Sequence, residues 1–116
     1  MAEVRVMYWR EIPLQIQARD GEGQVSQPLD PRFQEGADAV SMFEGSSGTD
    51  DYLMAFEWGD FVEADGSAEE AAAGMAEEFN KGFAGDFVAK IRDLHQAGNR
   101  DPSPGAIDHW KDNGTD

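Results

Sequence analysis

Residues 3–19, EVRVMYWREIPLQIQAR, hold the most distinctive pattern of the chain. Apolar side chains alternate with other residues along positions 4–9, and a second alternation runs along positions 14–19. A period of two is typical of β-strands. Pro13 lies between the two runs and cannot donate a hydrogen bond to a sheet. We therefore expect either two antiparallel strands that meet at Ile12-Pro13, or one long strand with a bulge there.

A third strand is predicted where apolar and aromatic residues alternate from Tyr52 to Trp58. Phe61-Val62 either adds a short fourth strand or leads into the next helix. Residues 24–29 have the composition of a polar loop. The sheet is therefore expected to contain three or four strands.

The first helix is predicted to begin at Asp30-Pro31 and to end at Gly45. Aspartate is a favoured N-cap, proline suits the first helical position, and glycine often follows the last turn. The apolar stripe between these limits is narrow, so the helix must gain stability by packing on a sheet.

A second helical segment is predicted to begin at Ser67, because Ser67 and Glu70 have the spacing of a capping box. An apolar stripe rich in phenylalanine then continues to Leu94 at intervals of three and four residues. Gly82 lies within the stripe and weakens a helix by about 1 kcal/mol relative to alanine. We expect either one helix kinked near Gly82 or two helices joined there, with Gly98 as the C-terminal cap.

The element order β-β-α-β-(β)-α predicts an α+β fold, a small three- or four-stranded sheet with helices packed on one face. Residues 1–98 are expected to form this domain. The string RDPSPG at residues 100–105 predicts a linker, so residues 99–116 are expected to be a flexible acidic tail. Trp110 of this tail either serves as a docking motif or folds back on the domain. We expect it to fold back, because exposing a tryptophan is unfavourable.

Charge and cysteine content exclude several functions. The 116 residues include 24 acidic and 9 basic side chains, for a formal net charge of −15. This charge repels nucleic acid and anionic lipid, so we expect neither nucleic acid nor a membrane as a partner. The acidity either keeps the protein soluble or provides a docking surface for a basic protein. The chain has no cysteine, and its first residues lack the pattern of a secretory signal, so we expect a cytoplasmic protein.

No catalytic or metal-binding signature occurs in the sequence. The dinucleotide, P-loop, H-x-x-x-H and G-x-S-x-G patterns are all missing, and the two histidines have no partners at ligand spacing. We therefore expect no metal and no cofactor. Glu11 is a candidate for proton transfer, but a lone carboxylate is a weak indication of catalysis. A salt bridge from Glu11 to Arg10 or Arg32 is the favoured interpretation.

The candidate contact surface lies around residues 8–13, YWREIP, because aromatic and arginine side chains anchor many interfaces. The predicted binding residues are Tyr8, Trp9, Arg10, Glu11, Arg32 and Tyr52. The alternative interpretation is that Trp9 belongs to the core and that Arg10 pairs with an acidic neighbour. A second hypothesis is a small enzyme with Arg10, Glu11 and Tyr52 in a concave pocket beside Pro13.

The string YWREIP, followed by Gln15 and Ile16 and by Arg32-Phe33 in the first helix, resembles the small bacterial "virulence factor" domain family. Residues 51–53, DYL, ahead of an aromatic strand, fit the same pattern, and the resemblance covers about residues 1–95. The chain is also similar to the terminal module of the conserved virulence factor C type.

The resemblance implies a module of undefined biochemical function, with a non-catalytic accessory or protein-interaction role. The alternative that it implies is a small subunit or accessory factor in corrinoid or one-carbon methyl-transfer metabolism. The partner is expected to be a protein, and the oligomeric state stays open. The strong acidity and the tail after Gly98 depart from the usual members of the family.

Overall fold

The computed structural model describes residues 2–83 and 85–110. The elements within these residues are β1 (Ala2–Trp9), β2 (Ile12–Asp20), β3 (Gly23–Pro28), α1 (Pro31–Glu44), α2 (Asp50–Met54), β4 (Phe56–Trp58), β5 (Val62–Ala64), α3 (Ala68–Gly82) and α4 (Phe87–Ala97). The strands form one antiparallel sheet in the order β3-β2-β1-β4, and β5 pairs with the N-terminal end of β1. The predicted α+β fold is confirmed, and its sheet has five strands rather than three or four.

The strands β1 and β2 form an antiparallel hairpin, which is the first of the two predicted alternatives. The predicted position of the bend is wrong, because Arg10-Glu11 makes the turn and Ile12-Pro13 already belongs to β2. Pro13 lies opposite Tyr8, where the register of the pairing shifts. Such an irregularity tolerates proline, because a regular ladder hydrogen bond is missing there.

The strand β3 was predicted to be a polar loop, and that prediction is wrong. It pairs with β2 along its whole length, although most of its side chains are exposed. The side chain of Asp20 supports the turn before it, since Oδ1 accepts hydrogen bonds from the N–H groups of Glu22 (2.8 Å) and Gly23 (3.1 Å). Because β3 is held by backbone groups, its side chains carry no alternating apolar signal.

The strand predicted over residues 52–58 is wrong in its first half. Only β4 is extended, and the preceding residues form the short helix α2. The ring of Tyr52 on α2 packs against Trp9 and Phe56, with centroid distances of 5.5 and 5.6 Å. These tertiary contacts outweigh the local alternation of the sequence.

The predicted helix ends are confirmed. Gly45 follows α1 in the left-handed conformation, and Gly98 does the same after α4. Ser67 and Glu70 make both hydrogen bonds of the capping box at the start of α3. The apolar stripe divides after Gly82, so the alternative with two helices is correct.

The core lies between the sheet and the helices. Helix α3 packs against β1, β2 and β3, while α1 packs against β2 and α4. The largest fully buried apolar side chains are Trp9, Phe33, Phe79, Ile12, Ile16 and Ile91. Phe33 contacts Phe83 and Phe87 at a ring-centroid distance of 5.3 Å in each case, so the phenylalanine stripe is core packing. Within residues 2–83 and 85–110, no helix has the length and apolar character that crossing a membrane requires.

Residues 99–110 are the described part of the predicted tail, and they contact the domain. Ile107 is buried in the core, and Trp110 packs against the core from outside, which confirms the expected fold-back. Residues 111–116 lie outside the described residues. The division into a domain of residues 1–98 and a flexible acidic tail of residues 99–116 therefore stays a prediction.

Gly36 tests the packing of α1 on α4. A Cβ atom there would lie 2.8 Å from Phe87 Cζ and 2.9 Å from Val88 Cγ2. We expect Gly36→Ala to lower the free energy of unfolding by about 1–3 kcal/mol, because the buried ring cannot move freely. Gly74→Ala in α3 is the matched control, since a Cβ atom there meets nothing within 4 Å. It should raise stability by up to about 1 kcal/mol through helix propensity.

Urea denaturation of the two variants makes the comparison. Equal changes in stability at the two glycines would contradict the described contact between α1 and α4.

Candidate functional site

The hairpin turn between β1 and β2 positions the central side chains of the candidate site. Arg10 adopts a left-handed conformation with φ of 52°, which is unfavourable for a residue with a Cβ atom. Its N–H group donates a hydrogen bond to the carbonyl oxygen of Ala55 (3.0 Å), which supports the strained turn. As a result the Glu11 side chain is buried, while the Arg10 side chain keeps 29% of its surface exposed.

Glu11 and Glu44 hold the guanidinium group of Arg100 between them. Arg100 donates to both oxygens of Glu11, from Nε and Nη2, and to Glu44 Oε1 from Nη1, each at 2.7 Å. The side chains of Arg100, Glu11 and Glu44 are 7%, 1% and 8% exposed. The paired bonds to Glu11 have the two-pronged geometry that makes arginine–carboxylate pairs strong and specific.

Glu44 has two further donors besides Arg100. Arg10 Nε donates to its Oε2 at 2.9 Å, and the Ser46 hydroxyl donates to the same oxygen at 2.5 Å. Burial opposes ionisation of Glu44, but the hydrogen bonds from Ser46, Arg100 and Arg10 outweigh it and hold the pKa of the carboxyl below its usual value. Burial likewise opposes the charge of Arg100, yet the bonds to Glu11 and Glu44 raise the pKa of its guanidinium.

The neighbouring aromatic residues of the YWREIP string are also engaged inside the protein. The Tyr8 hydroxyl donates to Asp108 Oδ2 at 2.5 Å. Burial, together with the negative charge of Asp108, raises the pKa of Tyr8 far above its usual value. Trp9 is fully buried, and its Nε1 donates to the carbonyl oxygen of Tyr52 at 2.9 Å. Trp9 therefore belongs to the core, and Arg10 pairs with Glu44, as the alternative interpretation of the sequence expected.

The structure brings together four of the six predicted binding residues. Tyr52 contacts Trp9, the Arg10 guanidinium lies 5.5 Å from the centre of the Trp9 ring, and Arg10 and Glu11 are linked through Glu44 and Arg100. The Tyr8 side chain contacts Asp108 instead. Arg32 has a different role at the C-terminal end of α3, where Nη2 donates to the carbonyl oxygens of Asn80 (2.7 Å) and Phe83 (3.0 Å).

The predicted partner of Glu11 was Arg10 or Arg32, and the structure shows Arg100 instead. The reason is geometric, because the left-handed turn directs Arg10 to Glu44, whereas Arg32 binds the end of α3. Sequence reasoning missed Arg100, Glu44 and Asp108. The only local signal for Arg100 was a single arginine just after the helix-ending Gly98, in a stretch that has the composition of a linker.

An apolar surface lies beside this site, at the place where α1 and α2 meet. We call it the α1–α2 corner and define it by Met42, Tyr52, Leu53 and Met54. Met42, Leu53 and Met54 are 72%, 67% and 80% exposed. The Tyr52 hydroxyl donates to Asp38 on α1 (2.8 Å), and Met42 lies one turn beyond Asp38 on the same face of that helix. These three exposed apolar side chains therefore lie on two helices that the Tyr52–Asp38 hydrogen bond joins.

A groove of about 390 Å³ adjoins the corner. Its lining includes Phe56, which contacts the ring of Tyr52, and Gln34, whose amide donates to the Tyr52 hydroxyl at 3.4 Å. Met7, Leu14 and Pro28 are among its other apolar lining residues. A smaller cavity of about 150 Å³ borders Glu11 and is lined mainly by residues after Leu94; neither Arg10 nor Tyr52 lines it. In the part of the chain that the structure describes, no group of three or more acidic or histidine side chains could hold a metal ion.

Comparison with protein-family models identifies the family. A model described as "Virulence factor" matches residues 7–91, which is more than half of the 116 residues. The chain belongs to the virulence factor family. Comparisons with curated proteins and with solved structures gave no match. The virulence factor match includes Glu11 and Glu44 but ends before Arg100 and Asp108.

Because Glu11 and Glu44 are buried in the virulence factor domain, we can predict the effect of replacing Arg100. Arg100→Ala leaves their charges without their shared guanidinium, so we expect the free energy of unfolding to fall by about 3–5 kcal/mol. Arg92→Ala on α4 is the matched control, since that side chain is 53% exposed. It should change stability by no more than about 0.5 kcal/mol. Urea denaturation measures both, and equal losses would contradict the buried network.

The lowered pKa of Glu44 makes a second prediction. A carboxyl whose pKa is lowered by folding stabilises the folded state at pH values above its usual pKa of 4.5. This contribution is lost as the pH falls through the folded-state pKa. The stability difference between wild type and Glu44→Gln should be largest near neutral pH and should shrink below about pH 4.5. Urea denaturation across this pH range measures it, with the exposed Glu57→Gln as the control for loss of a charge. A difference that does not change with pH would overturn the assignment.

Proposed function

We propose that this virulence factor domain is a non-catalytic accessory module of the cytoplasm that binds another protein through the α1–α2 corner and the adjoining groove. The exposure of Met42, Leu53 and Met54 is the observation that carries the proposal. Exposed apolar patches of this kind are typical of interaction surfaces, and Tyr52 beside them is a residue type that often anchors an interface.

The internal pairing of the ionisable side chains supports a non-catalytic role. Both oxygens of Glu11 accept hydrogen bonds from Arg100. Glu44 is occupied in the same way by Arg10, Ser46 and Arg100. A general base needs an oxygen within reach of a substrate proton, and these bonds already engage the buried carboxylates.

Charge determines which kind of partner fits the corner. Exposed acidic side chains flank it on both helices, at Glu35, Asp38, Asp50 and Asp51. Their sign matches the formal net charge of −15. We propose a partner segment with an apolar anchor and neighbouring lysine or arginine residues, because opposite charge speeds encounter and disfavours wrong partners. The identity of that partner separates this role from the alternative, an accessory factor in corrinoid or one-carbon methyl-transfer metabolism.

A capture experiment in the native host tests the surface. The double variant Leu53→Ser/Met54→Ser should lose its partner relative to wild type, because burial of the two side chains is removed from the interface. Val62→Ser is the matched control, since Val62 is exposed apolar surface on β5, outside the corner. Affinity capture followed by mass spectrometry, with circular dichroism to confirm folding, measures the effect. Equal recovery of every partner by wild type and the double variant would refute the proposed surface.

A further inference from the structure

Glu11 and Glu44 come from two separate elements of the fold, and both carboxylates accept hydrogen bonds from Arg100. Glu11 is placed by the hairpin turn at Arg10, and Glu44 is the last residue of α1, before the left-handed Gly45. The bonds from Arg10 and Ser46 hold the Glu44 carboxylate in position without any contribution from Arg100. We call Glu11 and Glu44 the carboxylate pair. Both residues lie within the stretch that matches the virulence factor family.

The group between them is a guanidinium, and the geometry suits that group in particular. Three N–H groups of Arg100, on Nε, Nη1 and Nη2, each donate to a different oxygen of the carboxylate pair at 2.7 Å. A planar, forked donor can satisfy the two carboxylates at once, whereas the single ammonium of lysine cannot reproduce the pattern. The arrangement of the acceptor oxygens therefore favours arginine over lysine.

The segment that delivers Arg100 makes most of its described backbone hydrogen bonds within itself. We call residues 99–110 the strap. Its backbone N–H groups at Ala106, Asp108 and Trp110 donate to carbonyl oxygens within the strap itself rather than to the sheet. Besides Arg100, its described contacts with the domain include Ile107 in the core, Trp110 against the core, and Asp108 at the Tyr8 hydroxyl. The Asn99 N–H group also donates to the carbonyl oxygen of Leu94 at 2.9 Å. A segment with such local bonding opens at a lower free energy than the sheet does.

An open pocket of about 150 Å³ lies between the strap, α4 and Glu11. It is lined in part by Leu94, Ile107 and Trp110, so solvent reaches the boundary between the strap and the domain.

We infer that the carboxylate pair is a binding site for an arginine side chain of the partner protein, and that Arg100 occupies this site intramolecularly until the partner displaces the strap. The inference rests on the proposed function and names the arginine that the basic partner segment supplies. The two surfaces are joined through Arg10, whose Nε donates to Glu44 Oε2 at 2.9 Å and whose N–H group donates to the carbonyl oxygen of Ala55, the residue after Met54, at 3.0 Å. A partner that docks at the corner can thus reach the pair with one arginine.

Competition with the strap sets a threshold for this exchange. A group on a short flexible linker has an effective concentration on the order of millimolar, and the anchored strap holds Arg100 at a higher one. A partner arginine displaces Arg100 only when additional contacts, such as those at the corner, contribute to the same binding event. The strap therefore excludes free arginine at low concentration and admits an arginine on a partner that fits the corner.

Chemical complementation of Arg100→Ala tests the site. Methylguanidinium should raise the melting temperature of Arg100→Ala above its value without additive, whereas methylammonium at the same ionic strength should not. Arg92→Ala is the control for general effects of the salt, and it should show no difference between the two cations. Equal shifts in the two variants, or equal effects of the two cations on Arg100→Ala, would overturn the inference.

Hydrogen exchange on the wild-type chain gives a second measurement that does not depend on the variant folding. Argininamide, at a concentration above the effective concentration of the tethered Arg100, should speed exchange at the amides of Ala106, Asp108 and Trp110 severalfold. Lysinamide at the same concentration should leave them unchanged. Unchanged strap exchange with argininamide, or equal acceleration by lysinamide, would overturn the inference.

The outcomes separate this inference from the proposed function. Loss of partner capture by Leu53→Ser/Met54→Ser, without selectivity for guanidinium in the other two experiments, supports the corner and rejects the arginine site. Selectivity for guanidinium with unchanged capture supports the arginine site and rejects the corner as the docking surface.

Discussion

The structure depends on the burial of Glu11 in the turn of the first hairpin. A buried carboxylate is tolerated only when hydrogen bonds and an opposite charge compensate for the lost water. Arg100 provides both, and its guanidinium also engages Glu44 at the end of α1. One interaction thus joins the hairpin, the first helix and the strap, three parts of the chain that are far apart in sequence.

The same constraint accounts for the arrangement of the surface around the site. The left-handed Arg10 directs its own side chain to Glu44, and its N–H group joins the turn to Ala55 beside α2. Next to this turn, Trp9 Nε1 donates to the carbonyl oxygen of Tyr52, and the Tyr52 hydroxyl donates to Asp38 Oδ1. On the outer surface of α1 and α2, the apolar side chains of the α1–α2 corner stay exposed. The turn conformation thus connects the buried ion pairs with the α1–α2 corner, which we propose as a docking surface.

Local patterns predicted much of the fold because their causes are local. The alternation around Val4 and Ile16 reflects strands with one buried face, and the Ser67–Glu70 capping box is made within a single helical turn. The site was predicted less well. Residues 8–11 were identified as a cluster, but their partners Glu44, Arg100 and Asp108 lie 34 or more positions away, beyond the reach of any periodicity.

The sequence by itself determined the extended conformation of residues 4–9 and 14–19, the limits of α1, the capping of α3, the α+β class and the acidic character. Only the tertiary structure decided that residues 50–54 form a helix, that the polar stretch from Gly23 to Pro28 is a strand, and that Arg100 binds Glu11. The physical reason is the range of the interactions. Propensity and capping act within a few residues, whereas ladder pairing, ring packing and a buried ion pair require surfaces that exist only after the chain has folded.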